Sequence, residues 1–150
     1  MTQAEMIQVL AGFIGTIGFA LLFNIRGIRL VMAAVGGLLS WLLFVLVNHV
    51  IPSEPVSYFV VACAISLYAE GMARLLKTPT TAFIITSLIP LIPGASLYYT
   101  MVFALQADMT TFLPKAVYTL ELAAALALGV IVSSAFVRIV NRVAHGKKKT

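Results

Sequence analysis

LVMAAVGGLLSWLLFVLVNHV, residues Leu30–Val50, contains no Asp, Glu, Lys or Arg in 21 positions. A helix rises 1.5 Å per residue, so such a run reaches about 30 Å, the thickness of a bilayer's hydrocarbon core. Four further stretches read the same way: Met6–Phe23, Tyr58–Leu76, Ala82–Leu105 and Phe112–Val137. Five spans of this length use about 110 positions and leave no room for a soluble domain. The composition agrees. Hydrophobic residues make up 61%, charged residues 10%, and the mean hydropathy is +1.06. A soluble domain carries about a quarter charged residues, so a soluble enzyme is excluded, and disorder with it. The expectation is one all-α integral membrane domain over residues 1–150, a polytopic bundle of five spans with a basic tail over 138–150.

The connections are short. Asn24–Arg29 joins spans one and two; Pro52-Ser53-Glu54-Pro55 joins two and three as a turn. Lys77-Thr78-Pro79 closes span three, and Ala107–Thr110 separates four from five, with Pro114 placed in a tolerant first turn. Arg26, Arg29, Arg74, Lys77, Arg138, Arg142, Lys147, Lys148 and Lys149 fall on one side, and Lys115 alone on the other. Basic residues collect in cytoplasmic loops, which places the N-terminus outside and the C-terminus inside. In this setting the net charge of +5 reports orientation, not nucleic-acid binding. The first span lacks a basic n-region and a cleavage site, so it reads as retained.

Span four carries the sharpest signal. Pro90-Leu91-Ile92-Pro93-Gly94 removes two backbone donors and biases Ile89 and Ile92 away from α geometry. The pattern predicts two half-helices, about Thr81–Ile89 and Pro93–Leu105. Non-helical backbone at membrane depth is tolerated only where protein or a water-filled cavity surrounds it. Transporters aim such half-helix N-termini at anionic substrate groups. The donors here would be Gly94, Ala95 and Ser96, with the hydroxyls of Ser87, Ser96, Tyr98, Tyr99 and Thr100 nearby. The blander alternative is a packing kink.

Glu121 lies inside span five, where a carboxylate is costly and suggests function. Ala125, Gly129 and Ser133 follow at four-residue intervals, a small-residue face that would turn Glu121 into the bundle. A proton-carrying coupling group and a structural glutamate are both open. Glu70, Arg74 and Lys77 share a helix face, as an inner gate or a structural ion pair. Gly12, Gly15, Gly18 and Gly36-Gly37 suit close helix packing. Trp41, Tyr58 and Tyr118 read as packing, interfacial or ligand residues. Cys63 is alone, His49 and His145 are far apart, and no metal, cofactor or nucleotide-hydrolysing motif is visible. Nothing points to an enzyme, so transport would draw on a gradient or on another subunit.

Three segments together resemble the C-terminal half of the bacterial threonine/serine exporter family. They are Phe19–Asn24, Glu70–Pro79, and Ile89–Gly94 with Tyr98. The resemblance covers essentially the whole chain, and the proline–glycine segment is its most specific part. That family joins two five-span halves, in one chain or as separate subunits, one such pair being similar to a succinate exporter. The resemblance implies a subunit of a two-component, proton-linked secondary exporter of small amino or carboxylic acids in the bacterial cytoplasmic membrane. Its partner would be a second polytopic subunit resembling the missing first half. Substrate binding would fall to Pro90, Pro93, Gly94, Ala95, Ser96 and Tyr98, with Glu121, Glu70 and Arg74 as coupling or gate residues. The competing reading is a scaffold subunit that does not itself transport.

Overall fold

The computed structural model describes residues 2–146, with side chains through Arg142. Lys147, Lys148 and Lys149 of the basic tail lie outside the described residues. The described residues are helical throughout, in the order α1 (Gln3–Leu22), α2 (Ile28–Val50), α3 (Glu54–Leu75), α4 (Thr80–Leu88), a 3-10 turn (Ile89–Leu91), α5 (Gly94–Leu105) and α6 (Met109–Gly146). Four of these, α1, α2, α3 and α6, are long and apolar enough to cross a membrane. The α4–α5 pair makes a fifth if it is one span, bent by 60° at the break.

Each connection follows from local chemistry. Thr2 and Glu5 form a reciprocal capping box at the start of α1. α1, α3 and α5 each end on a residue of positive φ, at Asn24, Lys77 and Ala107. In each case the next residue's N–H reaches back over the last turn, as from Ile25 to the Ala20 carbonyl at 2.9 Å. This Schellman closure satisfies carbonyls that would otherwise end the helix unpaired. Asp108 caps α6, accepting from the Thr111 amide at 3.2 Å and the Thr110 hydroxyl at 2.6 Å.

α3 sits at the centre, against α2, α4 and α6, and α1 packs mainly on α2. Two apolar clusters form the core. One joins Phe44, Tyr58, Val61, Ile65, Leu88, Leu91 and Leu122; the other sets Phe83 among Ala20, Ala33, Ala69 and Ala73. Lipid is as apolar as leucine, so association in a membrane relies on close packing. The contacts are accordingly small. A Cβ on Gly37 would stand 2.0 Å from Thr16 Oγ1, and one on Gly129 would stand 2.6 Å from the Ala62 Cβ.

One expectation, on Pro114, is corrected here, and two others gain detail. Gly15 and Gly18 meet nothing within 4 Å, so only Gly12 of that stripe packs inside the chain, against Pro90 and Trp41. Pro114 lies inside α6, not in its first turn, because the Asp108 cap starts the helix before it. α6 also continues to Gly146, so the segment beyond Val137 is helical as far as it is described.

Candidate functional site

The two prolines act differently. Ile89 keeps helical dihedrals, φ −50° and ψ −46°, because Pro90 enters a 3-10 turn at a position that needs no N–H. Ile92, before Pro93, leaves the helix at φ −61° and ψ 124°. Pro93 then stands as N-cap of α5, with no side chain able to cap it. The half-helices thus run Thr80–Leu88 and Gly94–Leu105, within one residue of the sequence expectation. The turn is held firmly. Leu91 is fully buried in the first core cluster, and Pro90 rests on Gly12.

The donors at this N-terminus are fewer than expected. The Gly94 N–H bonds back to the Ile92 carbonyl at 2.6 Å, and the Leu97 N–H to the Pro93 carbonyl at 2.9 Å. Ala95 and Ser96 remain, second and third in the helix, where no intrahelical acceptor exists. Gly94 and Ala95 are exposed and Ser96 is half-buried. The Ser96 hydroxyl is already engaged with Thr119 Oγ1 at 2.7 Å. Thr119 also bonds the buried Thr100 hydroxyl at 3.1 Å, so these hydroxyls stitch α5 to α6.

The break opens on a cleft of about 510 Å³. Its wall is formed by Pro90, Ile92 to Ser96 and Tyr99 on one side, and by Trp41, Glu54, Tyr58, Lys115, Tyr118 and Leu122 on the other. Trp41 Nε1 is buried with no hydrogen-bond acceptor among the described residues. The Tyr118 hydroxyl donates to Glu54 Oε2 in a short hydrogen bond. Lys115 Nζ lies 5.7 Å from the Tyr118 ring centroid, within cation–π range. The cleft therefore holds one cation, one carboxylate and a row of aromatic rings around an uncapped helix start.

The other sequence candidates lie elsewhere. Tyr98 is 63% exposed and packs edge-on against Tyr99, outside the cleft wall. Ser87 is fully buried against Gly36, its hydroxyl without a hydrogen-bond partner among the described residues. Glu121 is exposed on α6 rather than turned inward. The face of Gly129 and Ser133 does pack on α3, through Ser133 Oγ to the Cys63 carbonyl at 3.1 Å, but Leu122, not Glu121, fills the core beside it. Glu70 and Arg74 are 3.9 Å apart towards the other end of α3, where they line a small hollow with Phe136 and Val140. Glu54, Lys115 and Thr119 were absent from the sequence-based site. Lys115 carried one usable signal, its isolation from the other nine cations.

A family model described as Threonine/Serine exporter, ThrE, matches residues 8–136, a stretch that contains the break and every residue of the cleft. The chain belongs to the threonine/serine exporter family. It is accordingly a multi-pass membrane protein of amino-acid export. No curated protein and no solved structure matches it. Within this exporter, Arg138 and Arg142 fall beyond the matched stretch, on the surface of α6. No group of three or more His, Cys, Asp or Glu able to hold a metal occurs among the described residues.

Proposed function

We propose that this chain is a membrane subunit of a two-component secondary exporter in a bacterial cytoplasmic membrane. It moves small amino or carboxylic acids outward, linked to protons, with its N-terminus outside. The substrate carboxylate docks at the break, against the Ala95 and Ser96 amides. The observation that carries this reading is the uncapped start of α5 opening into a cleft that also contains Lys115. A half-helix N-terminus presents roughly half a positive charge and unpaired N–H groups. Away from bulk water those groups replace much of the hydration a carboxylate gives up. A subunit serving only assembly has little use for such a cleft.

The need for a second subunit is supported by what α1 and α6 leave uncovered. They are the least buried of the long helices. α1 presents Gly15 and Gly18 to open space, and α6 presents Glu121 among Val117, Leu120 and Leu128. Small residues suit close helix contact, and a carboxylate at membrane depth calls for a polar neighbour. Co-purification of the chain with its genomic neighbours, followed by threonine and serine efflux in vesicles, tests the whole reading. Full efflux by this polypeptide alone would overturn the partner. Equal efflux by the pair after Pro90 and Pro93 are both replaced with alanine would overturn the site.

A further inference from the structure

Glu54, Tyr118 and Lys115 stand in a wall shared by two hollows. One is the cleft at the break; the other, about 660 Å³, opens beside Thr110, Thr111 and Pro114 at the start of α6. Opposite charges placed together usually close on each other. Here they do not: among the described residues neither Glu54 nor Lys115 has an ion-pair partner. Tyr118 meets both instead, bonding Glu54 Oε2 through its hydroxyl and Lys115 at its ring face. That leaves Glu54 Oε1 without a hydrogen-bond donor among the described residues. Both side chains are half-buried. Each therefore keeps part of its capacity free at the cleft wall, and a ligand carrying both signs would engage the two together.

We propose that this trio recognises the amino-acid zwitterion: Lys115 joins the Ala95 and Ser96 amides on the α-carboxylate and Glu54 takes the α-ammonium, while Tyr118 fixes the spacing. The assignment rests on the reading of the cleft as a substrate site and adds its selectivity. A monocarboxylate without an amine leaves Glu54 unmatched. A dicarboxylate such as succinate sets a second negative charge against it, which is repulsive at close range. The trio therefore selects amino acids over dicarboxylates, by rejection as much as by attraction.

The test measures binding of labelled L-threonine, 3-hydroxybutyrate (threonine without its ammonium) and succinate. It uses vesicles from cells expressing the full chain within its own genomic cluster. The parent should bind threonine at least tenfold more tightly than either acid. Glu54→Gln, which preserves an acceptor for Tyr118, should weaken threonine at least tenfold and largely abolish that preference. Lys115→Gln should weaken all three. Tyr118→Phe should cost less than Glu54→Gln, since it leaves both charges in place. Threonine binding within twofold of the parent in Glu54→Gln, with Gly94→Val abolishing it, would overturn the trio and leave the cleft standing. Equal losses in Glu54→Gln and Tyr118→Phe, with the preference for threonine intact, would make the role structural and also overturn it. Binding untouched by Gly94→Val and by the double proline replacement would sink the cleft reading itself, and this assignment with it.

Discussion

Gly94 sits at the start of α5, where a built Cβ meets nothing within 4 Å. Its replacement by valine therefore has room within the chain, and because Gly94 lines the cleft beside Ala95 and Ser96, the added bulk crowds that part of the wall. Gly94→Val should leave assembly and thermal midpoint close to the parent while cutting substrate binding at least tenfold in equilibrium binding to vesicles. Parent-like binding would remove the amides from the site. Glu121→Gln keeps shape and removes the carboxylate from the exposed face of α6. Threonine efflux should then fall, with substrate affinity changing much less. Unchanged efflux would return Glu121 to a purely structural role.

Helix ends set the second scale. Ala107 closes α5 at φ 56°, a left-handed conformation that costs an L-residue roughly 1–2 kcal/mol and costs glycine little. Ala107→Gly should therefore raise stability by about 1 kcal/mol, offset in part by the greater freedom of glycine in the unfolded chain. The thermal midpoint in detergent reads it, and a fall would contradict the closure. One residue later, hydrogen bonds from the Thr110 side chain and from Thr111 hold the Asp108 carboxyl below its ordinary value of 3.8. The sign follows from which form is bonded. The cap is fully present above the ordinary value and is lost as pH falls through the lowered one. Amide protection at Thr111, corrected for intrinsic exchange, should fade in that acid range in the parent. In Asp108→Ala it should be low at every pH.

At the scale of the whole molecule, stability rests on close backbone approach. A methyl on Gly37 would stand 2.5 Å from the Thr16 Cβ, and one on Gly129 would stand 2.7 Å from the Phe59 carbonyl oxygen. Neither neighbour is the end of a flexible chain. Gly37→Ala and Gly129→Ala should each cost about 1–3 kcal/mol, read as a lowered midpoint. Gly15→Ala, facing open space, should change that midpoint little. Gly15→Leu and Gly18→Leu should instead reduce recovery of the second subunit in co-purification. Undiminished recovery would move the interface off α1.

Much of this was legible along the chain, because a membrane helix and its interruption are local properties. Twenty-one uncharged residues in Leu30–Val50 fix a span by length and hydropathy alone. Pro90 and Pro93 mark the break along the chain: neither can donate, and Pro93 turns Ile92 out of the helix. What the sequence could not supply is helix rotation. Glu121 faces outward because α6 meets α3 through Leu122, Gly129 and Ser133, a pairing between segments some 70 residues apart. The same tertiary choice brings Glu54 from the start of α3 to Tyr118 of α6, 64 residues away, and sets Lys115 beside them at the mouth of the cleft. It also commits the Ser96 hydroxyl to Thr119. Hydropathy and missing donors are read within one helix, so the sequence determined spans and break; which face meets which depends on shape fit between helices, and only the tertiary structure decided that.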